Sequence, residues 1–319
     1  MLSIPQRRLG RTNLMVTELA LGCYMFTGEF GITQQDANAI LDLAFDAGLN
    51  YADTAAMYGF GECEELLGRA LARHPYTTMQ LSTKVGWLDR TVVRNLGDAA
   101  YQNEDALLRA IKHSLWLLRR DRVEILMVHE PDWPQWGFDP HTGDAPVLRV
   151  LEELKHQGVI GAIGLGGWNC DNIADLLETG RFDVALVAGG YTLIEQPIRT
   201  RVLPTARKHD VGIVAGGAFL QGLLATIQRE RLSDIVQTGA YTGRLTAPNV
   251  RRLLAIYDLC AEAELSITEL ALRYILHDAA IHTVIAGAQQ AGQLRENLHA
   301  VAKGPLDTEI LARIAAINE

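Results

Sequence analysis

The sequence predicts an α/β fold: a (β/α)8 TIM barrel preceded by an N-terminal β-hairpin and carrying extra helices. Three observations predict it. Eight short segments rich in β-branched or apolar residues alternate with amphipathic helical segments. Those strand segments are apolar on both faces, which belongs to a parallel sheet covered by helices. Eight such units in 319 residues also fit a closed barrel, in one domain over 1–319, better than an open doubly wound sheet. An open dinucleotide-binding sheet would carry GxGxxG after its first strand; Gly164-Leu-Gly166-Gly167 comes too late and lacks the third glycine.

Taken in order, a turn at Arg11–Asn13 closes the hairpin and the first barrel strand falls near Glu18–Gly22. Thr33 caps a helix to Ala47, with apolar positions at Ile40, Leu43 and Ala44 and a stop at Gly48. Strand 51–53 leads through a loop to a helix over 62–72, whose first turn holds Glu62, Glu64 and Glu65, where the helix dipole favours negative charge. Gln80–Lys84 is a strand, followed by a long loop from Val85 to Gln102. A helix over Glu104–Leu118 feeds strand Ile125–Val128, and the aromatic, proline-containing stretch His129–Asp144 is a loop. Pro146 opens the next helix and Gly158 closes it. Then come strand Ile160–Leu165, helix Cys170–Leu177, strand Val184–Val187, helix Arg199–His209 and strand Val211–Ala215. Gly216–Thr246 reads as a long irregular loop with room for a helical turn inside. Helices follow from Thr246 to about Glu264 and, through the capping box Ser266-Ile-Thr-Glu269, to His277. Strand Thr283–Ile285 and helices Ala291–Val301 and Leu306–Ile317 end the chain.

Composition narrows the class. Hydrophobic residues make up 48% and charged residues 21%, the balance of a globular protein. A net charge of −9 argues against a nucleic-acid or anionic-membrane partner. Cys23, Cys63, Cys170 and Cys260 are scattered without CxxC spacing, so neither a disulfide framework nor a metal site is expected, and a reducing cytoplasm fits. No signal peptide or membrane span is expected, because no run approaches eighteen apolar residues. Nothing in the pattern fixes an oligomeric state.

In a barrel of this kind chemistry sits at the C-terminal ends of the strands. Four polar residues fall there: Asp53 ends the second strand, Tyr58 lies in its loop, Lys84 ends the third and His129 the fourth. Singly each has an ordinary reading, as a rim lysine, a loop anchor or a packed histidine. At three successive strand ends they suit one task. Free phenols ionise near pH 10, an ammonium beside a phenol stabilises the phenolate, and a carboxylate holds that ammonium in place. A histidine nearby orients a carbonyl oxygen. Such a set protonates a developing alkoxide, or deprotonates an alcohol in reverse, and needs a hydride from elsewhere.

NYADTAAMYGFGECEELLGRAL, LSTK at 81–84 and the His129 strand end resemble the aldo-keto reductase family, as do RRLGRTNLMVTELALG, GAIGLGGW and the C-terminal LRENL. The resemblance spans essentially the whole chain. It implies Tyr58 as general acid/base, Lys84 as the group tuning it, Asp53 as the lysine's partner and His129 as the carbonyl-orienting donor. It implies a nicotinamide dinucleotide, NAD(P)H, lying across the barrel mouth. FDVALVAGGYTLIEQ and GIVAGGAFLQGLLA look like the sugar-dehydrogenase branch of D-threo-aldose and L-galactose dehydrogenases. That likeness implies Tyr191 stacked on the nicotinamide and Phe219, Gln221, Gly222 and Leu223 along the pyrophosphate. Gly166, Gly167, Trp168, Asn169, Gly287, Gln289, Gln293, Glu296 and Asn297 complete the implied cofactor site. Independently of the resemblance, Tyr24, Trp87 and Trp133, with Phe26, Trp136 and Trp168, follow strands one, three, four and five, where aromatics floor a sugar ring or clasp an aldehyde, or equally only pack loops.

Two departures stand out. Gly166-Gly167 replaces the Ser-Asn that holds the carboxamide in many relatives, so those bonds fall to Asn169 or Glu195, or are missing. Gln289, Gln290 and Gln293 stand where cations usually meet the 2′-phosphate, leaving Arg295; either NADH is used readily or Arg295 compensates, and the expectation is dual use, NADPH by family with tolerance of NADH. Arg90, Arg94 and Asp89 offer charges to a polar substrate, or form an ordinary charged loop. The expected function is an NAD(P)(H)-dependent oxidoreductase of a small carbonyl or sugar. The alternatives are a cofactor-binding sensor of the channel β-subunit type, or a phosphate-binding barrel lyase or isomerase using the glycines at 164–167.

Overall fold

The structure, a computed structural model, describes residues 4–75, 78–88 and 90–319. Two short antiparallel strands come first, β1 (Gln6–Arg8) and β2 (Met15–Thr17). Eight parallel strands then close a barrel: β3 (Leu19–Gly22), β4 (Tyr51–Asp53), β5 (Gln80–Val85), β6 (Val123–His129), β7 (Ile160–Gly167), β8 (Val184–Ala188), β9 (Gly212–Gly216) and β10 (Thr283–Gly287). Each strand pairs with its neighbours in sequence. β10 returns to β3 with Val284 opposite Leu19 and Gly287 opposite Gly22, so no barrel edge is left open.

The helices lie outside: α1 (Gln34–Asp46), α2 (Glu62–Leu71), α3 (Arg90–Leu96), α4 (Glu104–Leu118), α5 (Pro146–His156), α6 (Cys170–Glu178), α7 (Val202–His209), α8 (Arg229–Thr238), α9 (Ala247–Glu262), α10 (Ile267–His277), α11 (Ala291–Ala302) and α12 (Thr308–Asn318). Their starts follow the local chemistry. Thr33 and Asp36 close a capping box on α1, Asn103 accepts from Ala106 N on α4, and Ser266 accepts from Glu269 N on α10.

Two apolar layers result. Tyr51, Ile125, Met127, Ala162, Val184, Leu186 and Val214 fill the barrel, while Ile40, Leu67, Leu107, Leu151 and Leu270 pack helices on its outside. The hairpin contributes Leu9 and Val16 to the inner layer and so plugs the N-terminal end. Its turn at Gly10 (φ +52°) approaches β9 so closely that a Cβ there would lie 2.1 Å from Gly212 N. With that end sealed, the C-terminal ends of the strands form the open mouth.

The structure differs from expectation in two loops. The stretch 85–102 contains α3 and a 3-10 turn at Gly97–Gln102, and 216–246 contains α8. Among its ten residues α8 buries only Leu232, so it has almost no apolar stripe to announce it. Asp89 and the side chain of Arg90 lie outside the described residues; Arg94 is exposed. No helix among the described residues is long and apolar enough to cross a membrane. No group of three His, Cys, Asp or Glu among them is placed to hold a metal ion.

Candidate active site

Asp53 and His129 are the last residues of β4 and β6, and Lys84 is the fifth residue of β5, so strand pairing alone brings the three together at the mouth. Tyr58 opens a 3-10 turn after β4, and Gly59 and Gly61 take the left-handed conformations that swing its ring back over the barrel. Gly86 clears the way for His129, since a Cβ there would lie 2.6 Å from His129 Cβ. Gly166 leaves room for the lysine stem, whose Cδ would be 3.1 Å from an added Cβ.

Lys84 Nζ spends its three hydrogens on Asp53 Oδ2 (2.6 Å), Thr54 O (2.9 Å) and Tyr58 Oη (3.1 Å). Asp53 Oδ1 accepts from Ser82 Oγ at 2.6 Å, and Ser82 Oγ accepts from Tyr51 Oη at 2.8 Å. Lys84 is 1% exposed. Burial disfavours its charge, yet the Asp53 carboxylate and then Tyr58 outweigh that and raise its pKa, so it stays an ammonium. Burial pushes the Tyr58 phenol above its ordinary value, by more than the Lys84 ammonium pulls it down. The tyrosine is therefore protonated at neutral pH. Burial, with a smaller push from Lys84, lowers His129 to about 3, so its imidazole is neutral. The His129 and Tyr58 rings meet edge to face at 5.7 Å, and His129 Nδ1 is buried without a hydrogen-bond partner. A neutral N–H donor and a protonated phenol thus flank one spot at the mouth.

Comparison with known proteins decides the family. Residues 18–319 match the aldo/keto reductase family. The chain belongs to that family. It is 30% identical to pyridoxal 4-dehydrogenase of Microbacterium luteolum over 92% of each chain. It is 31% identical to D-threo-aldose 1-dehydrogenase of a Pseudomonas species over 83% of each. A solved aldo-keto reductase from Bacillus halodurans in its holo form superposes with a TM-score of 0.79 at 25% identity, over 99% of this chain and 97% of that one. As an aldo-keto reductase the chain is an oxidoreductase.

The remaining expected residues of this aldo-keto reductase are placed unevenly. Gly166 and Gly167 end β7 beside the lysine stem, with Trp168 exposed next to them. The Arg244 guanidinium lies 5.1 Å from the Trp168 ring centre and donates to Gly189 O. Asn169 is committed: its Oδ1 caps α6 and its Nδ2 donates to Asp132. Glu195 is committed to Asn249 and Arg244. Tyr191 is 1% exposed; it packs on Tyr274 and its hydroxyl is bound by Asp278 and Arg199, so it presents no open face. Phe219, Gln221, Gly222 and Leu223 form a tight turn after β9, with Leu220, Gln221 and Gly222 all at positive φ. Gly287 ends β10. Gln293 Oε1 accepts from Gln289 N at 2.7 Å and so closes the start of α11, where Asn297 is buried and Glu296 and Arg295 are exposed.

Of the rim aromatics, Tyr24 is exposed and lies edge-on to Tyr58 at 5.0 Å. Trp133 is half-buried against Tyr101, while Trp87 pairs with Phe60 at 4.4 Å and lines a cavity on the α4 side with Ala56 and His113. Phe26 and Trp136 are fully buried; the Trp136 indole N–H is consumed by the carbonyls of His129 and Glu130, which makes it a loop anchor rather than a rim residue. Sequence reasoning passed over Glu130 and Arg244. Glu130 was signalled only by its place after His129, and Arg244, far along the chain, by nothing.

Proposed function

We propose that this chain transfers a hydride between a nicotinamide dinucleotide and the carbonyl or hydroxyl carbon of a small aldehyde or sugar, with Tyr58 as the general acid/base. The observation that carries the reading is the single ammonium of Lys84 bound at once to Asp53 and Tyr58 in a buried setting. The residues present fit the dinucleotide: a glycine pair without side chains at the end of β7, a left-handed turn after β9, and a helix start after β10. Gly166, Gly167, Trp168, Gln221 and Gly222 would hold its nicotinamide and phosphates, and Gln289, Gln293, Glu296 and Asn297 its adenosine end. The nicotinamide supplies the hydride.

The side chains supply the rest. His129 donates its N–H to the carbonyl oxygen, which fixes the carbonyl's direction and favours charge developing on that oxygen. Tyr58 Oη gives its proton to the alkoxide as it forms. Lys84 stabilises the phenolate left behind, and Asp53 keeps the ammonium in place through a bond that does not alter during the reaction. Because burial raises the phenol, reduction is favoured over a wide pH range, and alcohol oxidation gains rate on the alkaline side as the phenolate becomes populated.

The small polar carbonyls in the relatives' names (pyridoxal, D-threo-aldose, L-galactose and methylglyoxal) support a substrate of that class. The glutamines at the start of α11 support use of NADH, as does 28% identity to an NADH-specific methylglyoxal reductase of Escherichia coli over 92% of each chain. Titration with NADH and NADPH, followed by tryptophan fluorescence, tests the reading. NADH binding at least as tight as NADPH binding is expected, and binding of neither would overturn it.

A further inference from the structure

Glu130 is in a costly position. It follows His129 directly, and its backbone takes φ +48°, a left-handed conformation that a side chain with a Cβ resists by about 1–3 kcal/mol. Its amide continues the β6–β7 ladder to Gly166 O at 2.7 Å, and its carbonyl anchors the loop through Trp133 N and Trp136 Nε1. Its carboxyl is half-buried and turned across the end of β7: Oε2 would lie 3.1 Å from a Cβ added to Gly167. Burial and then Asp132 push it up to about 7, while the Trp168 N–H and Lys84 pull it back. Among the described residues no cation stands within ion-pair distance of it. A carboxyl so held, beside the acid–base centre and across the glycine pair, is short of donors.

Of the other side-chain acceptors near this end of the barrel, two are fully engaged and Asp132, which is exposed, receives Asn169 Nδ2 on one oxygen. Asn169 Oδ1 caps α6, and both Glu195 oxygens are bound by Asn249 and Arg244. β7 itself offers no side chain at 166 or 167. The carboxyl that lies directly against this pair is that of Glu130, with Oε2 beside Gly167.

We propose that Glu130 is a positioning residue whose carboxylate accepts a hydrogen bond from the carboxamide N–H of the nicotinamide and so fixes which face of the ring is turned to the substrate. The assignment rests on the hydride-transfer reading above. A glycine at 167 suits this arrangement, since an added Cβ would crowd Pro131 Cδ at 3.0 Å and the Glu130 carboxyl at 3.1 Å.

The test compares NADH with reduced 3-acetylpyridine adenine dinucleotide, which carries a methyl group where NADH carries the amide NH2. Binding is read by fluorescence in mildly alkaline buffer, where Glu130 is ionised. The unaltered protein is expected to hold NADH about tenfold more tightly than the analogue, the effect of one hydrogen bond to a charged acceptor. In Glu130→Gly that preference should fall to about one, mainly by weakening NADH, and Glu130→Gln should retain part of it. Glycine relieves the left-handed backbone, so Glu130→Gly should melt no lower than the parent, which separates lost recognition from misfolding. An unchanged preference in Glu130→Gly would overturn the proposal, as would equal weakening of both dinucleotides. So would a rise in KM for a hydroxyaldehyde with the preference intact, since the carboxylate would then face the substrate. If the unaltered protein binds neither dinucleotide, the hydride-transfer reading itself fails and this assignment falls with it.

Discussion

Replacing Lys84 by Met separates the structural from the chemical role of the buried pair. The methionine fills much of the lysine stem's volume beside Gly166 but removes the ammonium from Asp53, Thr54 O and Tyr58. Asp53, 3% exposed, is left with Ser82 as its remaining side-chain donor. Breaking a buried pair by removing one partner costs about 3–5 kcal/mol, because the other charge stays buried. The companion double variant Lys84→Met with Asp53→Asn removes that charge and keeps the Ser82 bond, so it should return to within about 1–2 kcal/mol of the parent. Turnover should fall at least about a hundredfold in both, since neither can stabilise the phenolate. Urea unfolding of the parent, the two single variants and the double variant, with turnover measured alongside, completes the cycle. A loss of under about 1 kcal/mol for Lys84→Met, or a double variant as unstable as the sum of the singles, would show that Asp53 and Lys84 do not act as a coupled buried pair.

Tyr58→Phe should abolish turnover while cofactor affinity stays within about threefold, because only the proton donor is lost; affinity lost together with turnover would mark the ring as structural. His129 is held at about 3 against an ordinary 6.5, so its contribution to stability is complete above 6.5 and disappears as pH falls towards 3. His129→Gln should therefore flatten the acid limb of stability against pH, by up to about 4 kcal/mol, as followed by urea midpoints. Glu64 has the opposite sign. Burial raises it to about 7, with Thr83 Oγ1 donating to one oxygen and Ser114 near the other without closing a hydrogen bond, so it costs stability as pH rises from 4.5 through 7. Glu64→Gln should gain up to about 3 kcal/mol at pH 8 and little at pH 4.5, and a gain independent of pH would refute the assignment.

Alternation of short apolar segments with helical ones placed all eight barrel strands within two residues of their ends, because each strand is covered on both faces and so carries a continuous apolar signal. Asp53, Lys84 and His129 were visible for the same reason: strand ends set their place, and β4, β5 and β6 are neighbours both in sequence and in space. What the sequence hid lacks periodicity or depends on distance. α8 is almost wholly exposed and leaves no stripe. The burial of Tyr191 follows from Tyr274, Asp278 and Arg199, the first two more than eighty residues away in the chain, so the sequence alone favoured a stacking platform over a packing residue. The commitments of Asn169 and Glu195 arise from partners in other loops and could not be counted from composition.

The backbone itself separates the two ends of the barrel. Among the described residues, seven other than glycine adopt positive φ: Phe60, Glu130, Leu220, Gln221, Arg119, Asp210 and Glu264. Arg119 and Asp210 end α4 and α7 as left-handed caps, and Glu264 follows the end of α9, so their conformations satisfy terminal carbonyls and carry an ordinary structural return. The other four end no α-helix. Phe60 follows β4, Glu130 follows β6, and Leu220 and Gln221 follow β9, all in loops at the C-terminal mouth. At about 1–3 kcal/mol each, strain of this kind persists where the surrounding structure over-determines it. In these loops it turns Tyr58 over Lys84, lays a carboxyl across Gly167 and shapes the turn assigned to the pyrophosphate. At the sealed end, by contrast, the tight turn beneath β9 falls to a glycine, Gly10. Positive φ that caps no α-helix thus falls in the loops at the mouth, while at the sealed end Asp210, beside the hairpin, takes it as a helix cap; this is the distribution expected if the mouth loops hold the functional residues.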